Sequence, residues 1–406
     1  FFDGDNLRST GRCSYYYAYT SPRSGWTFLG IPPIDEFGFA RSSDFNPAYF
    51  DPTVRYLPWA RSDGTDYPDA NTSATRIHPE KPSPTINLAA NLARANADSE
   101  FFLHAGMTLP KGTRFRRVEQ CHNAGHQFPN GNSWTTLSSD YTVPNNAYAA
   151  SNSNYKGCRV YIEYWPATFF TRFNGWDDPR PKLAGEDIYA SVARQRVKNA
   201  CGEGCHLWKY TIDSNDQESL QNFANWFSFY GNRNRAMIAG MTRSLASVNN
   251  MRVGYFTINS GRSGSSYSNY SDVQMWDMSS APDRASLYGQ LVDLPASGNT
   301  PNLPAVNHMG SQFRRTDDGA PVKLACQRNG GMLFTDGFSN VASTASAISG
   351  LGAPFDPTPA NTMAAIASQY YFDTDDGESP LRTDLTAGQV PVPAGCAGAD
   401  GVERRR

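Results

Sequence analysis

The sequence predicts an α/β fold, because helical and strand-forming patterns alternate along its second half. From about residue 213 onward, these patterns follow the order helix, strand, strand, helix, helix, strand, helix. Such an order is typical of a mainly parallel sheet that is covered by helices on both faces. The preceding residues differ, since Gly, Pro, Asn, Ser and Asp interrupt them every few positions and indicate a region rich in loops and strands.

The charge balance, aromatic content and cysteines of the chain exclude some classes of protein. The chain has 406 residues, with 36 basic against 38 acidic side chains, and this balance argues against a nucleic-acid-binding protein. An aromatic content of 13% is typical of a folded chain rather than a disordered one. Seven dispersed cysteines indicate disulfides in an oxidising compartment, with at least one cysteine left over. No segment approaches the roughly 18 apolar residues that span a bilayer. We therefore expect a periplasmic or cell-surface protein.

The clearest strand signal in the first half lies at residues 158–165, where Val160, Ile162 and Tyr164 alternate with polar or amphipathic neighbours. A long helix is predicted over residues 217–246, capped by Ser214 or Asp216. Its apolar positions recur at helical spacing and predict one buried face. These positions are Leu220, Phe223, Ala224, Phe227, Tyr230, Ile238, Met241 and Leu245.

The remaining elements are shorter. Two strands are predicted at residues 253–258 and 273–278, helices at 283–294, 303–313 and 361–371, and a sharply bounded strand at 331–334. In a parallel sheet, ligands bind at the carboxyl ends of the strands. Asp336 follows the strand at 331–334 and is therefore predicted at that edge. The loop 297–301 is predicted at the same edge if its helices flank the same sheet.

Two loops carry the candidate metal ligands. Thr335-Asp336-Gly337 presents a carboxylate and a hydroxyl group, which are ligands that suit Mg²⁺, Ca²⁺ or Mn²⁺. The alternative is a turn in which Asp336 caps a backbone amide. In the loop 297–301, Thr300 is a second candidate hydroxyl ligand, or a helix N-cap with Pro301 as the first helical residue. We predict that Thr300 and Asp336 together bind Mg²⁺ or another divalent cation.

Other motifs are weaker. Cys201 and Cys205 indicate a local disulfide, or two separate disulfides, rather than haem attachment, because their spacing has one extra residue. Cys121-His122 with His126 lacks the second cluster that completes a zinc site. Residues 373–378 indicate a solvated acidic turn, since Gly377 falls one place too early for a calcium loop. No nucleophile elbow, phosphate-binding loop or zinc-protease motif occurs, so we expect no enzymatic activity.

Six short segments carry a family resemblance. They are Phe45–Pro47 with Tyr49–Pro52, Tyr56–Trp59, Tyr164–Phe170, Gln221–Tyr230 with Arg233 and Arg235, Met251–Tyr255, and Cys326–Gln327 with Leu333–Asn340. In this order they resemble the PilY-type family, the large proteins associated with type IV pilus assembly and the pilus tip. The segment 361–371 resembles the helix that follows them in that family.

The resemblance implies a von Willebrand factor A-like domain, which is a Rossmann-like α/β fold, interrupted by a large strand- and loop-rich insertion. Residues 1–30 would be the start of this domain or a segment after its first strand. Residues 31–210 would be the insertion, and residues 211–406 the main body, with the family's C-terminal β-propeller absent.

In the metal-ion-dependent adhesion site of such domains, Thr300 matches the threonine of the second loop and Asp336 the aspartate of the third. The first loop should read Asp-x-Ser-x-Ser. Its place would lie at or before Phe1, unless residues 2–6 are a degenerate version of it.

The resemblance also implies a function. The chain would be a non-enzymatic pilus-tip protein, exported through the periplasm to the cell surface. It would contact minor pilins or the major pilin, and adhere to host or abiotic surfaces. An alternative is a structural cap without metal that primes pilus assembly through minor pilins. The many Tyr and Trp residues of the insertion form either a contact surface or a packed core.

Overall fold

The computed structural model describes residues 33–83, 85–93, 100–104, 106–117, 121–122, 133–149, 152–173, 180–197, 206–294, 298–324, 327–335, 337–342 and 359–371. The chain divides into two compact units, residues 1–246 and residues 247–406. Each unit is described by itself. The implied division into residues 1–30, 31–210 and 211–406 stays a prediction.

The described part of the first unit opens with a short 3₁₀ helix, Asp35–Arg41, and continues with many short strands. In chain order the strands are β1 (Thr75–Arg76), β2 (Thr85–Ile86), β3 (Glu100–His104), β4 (Thr108–Leu109), β5 (Arg114–Arg117), β6 (Cys121–His122), β7 (Thr135–Thr136), β8 (Tyr141–Thr142), β9 (Tyr148–Ala149), β10 (Asn152–Ile162), β11 (Thr168–Phe173), β12 (Ala193–Val197) and β13 (His206–Thr211).

Strand β10 is the centre of the largest sheet in this unit. It pairs antiparallel with β3, β5 and β9, while β11, β13 and β12 form a separate antiparallel sheet. The prediction of a strand near residue 158 is confirmed, since β10 covers most of it. Val160 and Ile162 are buried, as their alternation with polar neighbours requires.

Aromatic side chains fill the core of the first unit. The Phe50 ring lies 4.9 Å from the Phe223 ring and 5.4 Å from the Phe169 ring, and the Tyr49 ring lies 4.7 Å from that of Trp226. All five side chains are buried. These aromatic residues therefore stabilise the fold by burying apolar area. Of the two roles predicted for the aromatic residues, a contact surface or a packed core, these five have the second.

The predicted helix over residues 217–246 is interrupted. The structure has α1 (Gln217–Asn225), a π-helical turn (Trp226–Tyr230) and α2 (Arg233–Leu245). Asn232 begins the second helix, because its side chain accepts a hydrogen bond from the Arg235 amide. Asp216 occupies the N-cap of α1 but does not cap it; its Oδ1 accepts a hydrogen bond from the Ser191 hydroxyl at 2.6 Å.

The second unit has short strands and three helices among its described residues. They are β14 (Arg252–Gly254), β15 (Arg262–Ser263), β16 (Ser266–Tyr267), β17 (Met275–Asp277), α3 (Ala281–Val292), α4 (Asn302–Phe313) and α5 (Met363–Tyr371). The three predicted helices are found to within two residues at each end. The two predicted strands are found in shortened form, as β14 and β17, and they pair antiparallel.

The described strands do not form the predicted parallel sheet, since every pair among them is antiparallel. The predicted strand at 331–334 is also wrong for this structure. Residues 327–335 have no ladder partner among the described strands, although Leu333 packs against Val306, Ala365 and Ile366. Mixed helices and small antiparallel sheets are compatible with the α/β class. The von Willebrand factor A-like arrangement stays a prediction.

Candidate functional site

Two loops of the second unit, residues 298–302 and 337–340, lie against each other and are called the loop pair below. The Thr300 amide donates to Asn340 Oδ1 at 2.8 Å, and the Asn340 amide donates to the Thr300 carbonyl at 3.0 Å. The structure thus brings together the two loops in which the sequence predicts metal ligands. Thr300 is half-buried there, whereas Asp336, which directly precedes the second loop, lies outside the described residues.

The second loop also contacts the N-terminus of α4. Asn302 Nδ2 donates to the Gly337 carbonyl at 2.9 Å, and the Leu303 amide donates to Ser339 Oγ at 3.5 Å. The N-cap position belongs to Pro301, which has no side chain able to cap. The alternative in which Thr300 caps this helix is therefore wrong, because the capping oxygen comes from the other loop.

A third contact fixes the start of the loop pair. Gly298 has φ of +107°, a backbone conformation that favours glycine, and a Cβ at this position would collide with the Asn259 side chain. Asn259 Nδ2 donates to the Asn299 carbonyl at 2.9 Å. The turn after β14 therefore holds the first loop, and only glycine permits the close approach.

The loop pair offers neutral oxygen atoms. Asn302 is fully buried, and its Oδ1 accepts no hydrogen bond from the described residues. The Thr300 hydroxyl is a further candidate ligand. Nowhere in the described part of the chain do three or more His, Cys, Asp or Glu residues cluster as a metal site. Binding of a cation by Thr300 and Asp336 stays a prediction. In such a site, the Asp336 carboxylate would supply the negative charge that balances the cation.

One titratable side chain on α4, His308, has a shifted pKa. Its ring stacks on Tyr270, with 4.6 Å between ring centroids and 14° between planes, and meets the edge of Phe256 at 4.7 Å. Burial lowers the pKa of His308, and this effect outweighs the opposing influence of Asp272. The imidazole is therefore neutral at pH 7.

The π-helical turn of the first unit is a second place where function is often found. Arg235 is fully buried beneath it and donates to the carbonyls of Ile77, Phe227 and Ser228. Burial lowers the pKa of Arg235 to about 9. Because the guanidinium is used on backbone carbonyls, we interpret this group as structural.

The weaker motifs give little further information. Cys201, Cys205, His126 and the acidic segment 373–378 lie outside the described residues, as do residues 2–6. Cys158 is buried in β10 and disulfide-bonded. Disulfides among the other cysteines stay a prediction.

The side chains that hold the loop pair together were not predicted from the sequence. They are Asn259, Asn302, Ser339 and Asn340. A signal was present, since both loops are rich in Asn, Ser and Thr, whose side chains hydrogen-bond to turn backbones. Only Thr300 and Asp336 were predicted as metal ligands in these loops, because hydroxyl and carboxylate oxygens are the usual ligands of hard cations.

Among the described residues, no helix combines the length and apolar character that crossing a membrane requires.

Comparison with known proteins finds similarity to a type IV pilus protein. The chain is 25% identical over 219 residues to the type IV pilus biogenesis factor PilY1 of Pseudomonas aeruginosa PAO1, which covers 50% of this chain and 18% of that protein. It is 28% identical over 158 residues to PilY1 of P. aeruginosa strain PAK, which covers 34% of this chain and 13% of that protein. No protein-family model matches the chain. No solved structure matches it either. The similarity supports a PilY-related factor and extends over less than a fifth of each relative.

Proposed function

We propose that this chain acts in type IV pilus biogenesis. The observation that carries the proposal is the similarity to PilY1, a type IV pilus biogenesis factor, over half of the chain. The six segments that resemble the PilY-type family add support. Two of them, Tyr49–Pro52 and Gln221–Tyr230, contribute Phe50, Phe223 and Trp226 to the core of the first unit. Residues with this structural role are under strong packing constraints, so a resemblance that falls on them is informative.

The finer form of the proposal is a non-enzymatic protein at the pilus tip. The chain would be exported through the periplasm and would contact minor pilins or the major pilin at the cell surface. Thr300, Asp336 and a further loop would hold Mg²⁺ or another divalent cation. Such a cation keeps one coordination position for a carboxylate of the bound surface. The hydrogen bonds between Thr300 and Asn340 support this form, because they hold Thr300 beside the segment that follows Asp336 in the chain.

The alternative is a structural cap that primes pilus assembly through minor pilins and binds no metal. One observation favours it: the loop pair is already held by amide side chains, which satisfy its backbone groups without an ion. Both forms fall within pilus biogenesis, so they need separate tests.

Pilus biogenesis is tested by deleting the gene in its piliated host and counting surface pili by electron microscopy. We expect deletion to remove most pili and the complete gene to restore them. Complementation with Asp336→Ala then separates the two forms. If pili return but adhesion to a surface does not, metal-dependent adhesion is supported. If both return, the structural cap is supported. Normal piliation of the deletion strain contradicts the whole proposal.

The metal is tested directly by calorimetric titration of the protein with Mg²⁺, Mn²⁺ and Ca²⁺, including any native upstream residues. We expect saturable binding that Thr300→Ala weakens and Asp336→Ala abolishes. Asp318→Ala is the matched control, because Asp318 is an exposed carboxylate of the same unit outside the loop pair. Equal binding in all four proteins assigns the metal elsewhere, and no binding in any of them leaves the structural cap.

A further inference from the structure

Asn329 and Gly330 form an exposed Asn-Gly pair in the second unit, in a segment without regular secondary structure. In such a pair, the backbone nitrogen of the second residue can attack the side-chain amide of the first. Glycine favours this reaction, because it has no Cβ to obstruct the approach and its backbone adopts many conformations. Asn130 and Asn174 also precede glycine, but they lie outside the described residues.

The Gly330 amide, which would be the attacking group, is available. It donates no hydrogen bond to any residue that the structure describes, and it belongs to neither a helix nor a strand. A backbone amide in either kind of element would be engaged in the regular hydrogen-bond pattern. The space around it is also open, since a Cβ added at Gly330 would meet no atom within 4 Å.

The Asn329 side chain, which would be attacked, bonds to Gln327. Gln327 Nε2 donates to Asn329 Oδ1 at 2.7 Å, and Asn329 Nδ2 donates to the Gln327 carbonyl at 2.9 Å. The orientation of the Gln327 amide is fixed, because its Oε1 accepts from the Lys323 and Leu324 amides. A donor on Asn329 Oδ1 favours attack, since negative charge collects on this oxygen when a nucleophile adds to the amide carbon.

We propose that Asn329 is a site of spontaneous deamidation. The Gly330 nitrogen gives up its proton to water or hydroxide and adds to Asn329 Cγ, forming a new C–N bond. The bond between Cγ and Nδ2 breaks, and Nδ2 takes up a proton and leaves as ammonia. Water then opens the resulting ring at either carbonyl, leaving aspartate or its β-linked isomer. The reaction needs no oxidant, reductant or metal, and this inference goes beyond the proposed function.

Deamidation would release the Gln327 side chain. In the product, an oxygen replaces the Nδ2 that donated to the Gln327 carbonyl, so two acceptors face each other and the new negative charge repels the carbonyl. Gln327 also donates to the Pro321 carbonyl and accepts from the Lys323 and Leu324 amides. We therefore expect the hydrogen bonds of these two amides to open more often once Asn329 has reacted.

The test incubates the whole chain at neutral and mildly alkaline pH in water enriched in heavy oxygen. Peptide mapping by mass spectrometry, with fragmentation that separates aspartate from its β-linked isomer, follows each asparagine. We expect the Asn329 peptide to gain one heavy oxygen atom, faster at the higher pH because the Gly330 amide must lose its proton. Asn340 is the internal control, since it is exposed but precedes Val341 and accepts from the Thr300 amide. It should stay intact.

One variant tests the role of Gly330 in the reaction. Gly330→Val obstructs the attack with a branched side chain and should abolish measurable conversion of Asn329. The fold should tolerate this change, because Gly330 has open space around it and no left-handed φ. Conversion of Asn130 and Asn174 in the same variant should keep its parental rate.

A second variant carries the product from the start. Asn329→Asp should exchange the Lys323 and Leu324 amides faster than the freshly prepared parent does. Asn340→Asp is the matched control, because it adds the same charge to the same unit away from Gln327, and it should leave this exchange unchanged.

Three outcomes overturn the proposal. The first is an Asn329 that stays intact through the incubation. The second is conversion of Asn329 at the same rate in Gly330→Val, because the Gly330 nitrogen would then not be the attacking group. The third is conversion that leaves exchange of the Lys323 and Leu324 amides unchanged, because Gln327 would then not be released.

Discussion

The two units each contain a stretch without regular secondary structure, and the two stretches differ in how they are hydrogen-bonded to the rest of their unit. In the first unit, residues 51–70 are tied to α1 and the π-helical turn. Asn222 accepts from the Tyr56 amide and donates to the Val54 carbonyl, and Trp59 Nε1 donates to the Phe229 carbonyl. In the second unit, the backbone of residues 329–335 makes no such bonds to the described residues, and the side chains of Met332 and Phe334 are exposed.

The difference teaches what makes an irregular segment part of a fold. Backbone groups outside helices and sheets need other partners, and α1 supplies them through Asn222 and Asn225, whose amides both donate and accept. The residues 51–70 therefore belong to the scaffold. Residues 329–335 receive no such hydrogen bonds from the residues that the structure describes.

The largest effect is expected where residues 51–70 enter the core. Trp59 is fully buried and contacts Tyr67, His78 and Phe229. Trp59→Ala should lower the free energy of unfolding by about 3–5 kcal/mol, because it leaves a cavity and removes two hydrogen bonds. Met332→Ala, at an exposed position of the second unit, should change the free energy of unfolding by less than about 0.5 kcal/mol. Urea denaturation compares the two, and equal losses would contradict the contrast between the segments.

A smaller effect is expected from the amide side chains of α1. Asn225 Oδ1 accepts from the Ala70 amide, and its Nδ2 donates to the Tyr56 carbonyl and to Asp69. Asn225→Ala should cost about 1–3 kcal/mol, since it leaves buried backbone groups without partners. Glu218→Ala is the matched control on the same helix, because its ion pair with Arg55 is exposed and is worth about 1 kcal/mol or less. A larger loss in the control would show that surface charge, rather than the amides, holds the segment.

The sequence predicted those parts of the fold that local patterns determine. Helices α3, α4 and α5 were predicted close to their observed bounds, because helix-forming patterns are local; in the structure, Ser280 caps α3 and Pro301 precedes α4. Strand β10 was found because its alternation is long. The break at residues 226–232 was missed, since a π-helical turn keeps the apolar face nearly continuous, and Asn232 was not recognised as a second N-cap.

Pairing between distant segments was harder to predict. The residues 331–334 have strand-forming character, but a strand also needs a neighbour, and this cannot be read from the segment itself. At the candidate site, the proximity of the two loops was predicted from the expected parallel sheet. The structure brings them together by a different means, through Asn340 and Asn302, whose roles depend on contacts over 35 residues or more in sequence.

The loop pair should respond more weakly than the core. Asn340→Ala removes one side-chain bond to the Thr300 amide at an exposed position and should cost about 0.5–1.5 kcal/mol. Hydrogen exchange at Thr300 should become faster, while exchange in β10 stays the same. Asn329→Ala is the control, because the Asn329 side chain bonds only near its own position. Unchanged exchange at Thr300 would show that the remaining contacts of the loop pair hold it without the Asn340 side chain.

The smallest effect is expected from pH, and it should be confined to the second unit. His308 packs between Phe256 and Tyr270, and the charged groups that influence it are Asp272, which raises its pKa, and Arg315, which lowers it. Gln312 and the Ser271 backbone are its polar neighbours. Burial is the largest influence, so the pKa of His308 in the folded chain lies below the ordinary value of 6.5.

Well above pH 6.5 the imidazole is neutral in both the folded and the unfolded chain, and stability does not depend on it. As the pH falls below this value, the unfolded chain binds a proton before the folded chain does, so the free energy of unfolding decreases until the lower folded pKa is passed. Fluorine NMR on 5-fluorotryptophan protein separates the units, since Trp276 reports on the second and Trp59 on the first. His308→Phe keeps the ring and should remove the extra acid sensitivity at Trp276. If the second unit unfolds at the same pH in the variant and in the parent protein, a group other than His308 causes its acid unfolding. His308 then gives the second unit no acid sensitivity that the first unit lacks.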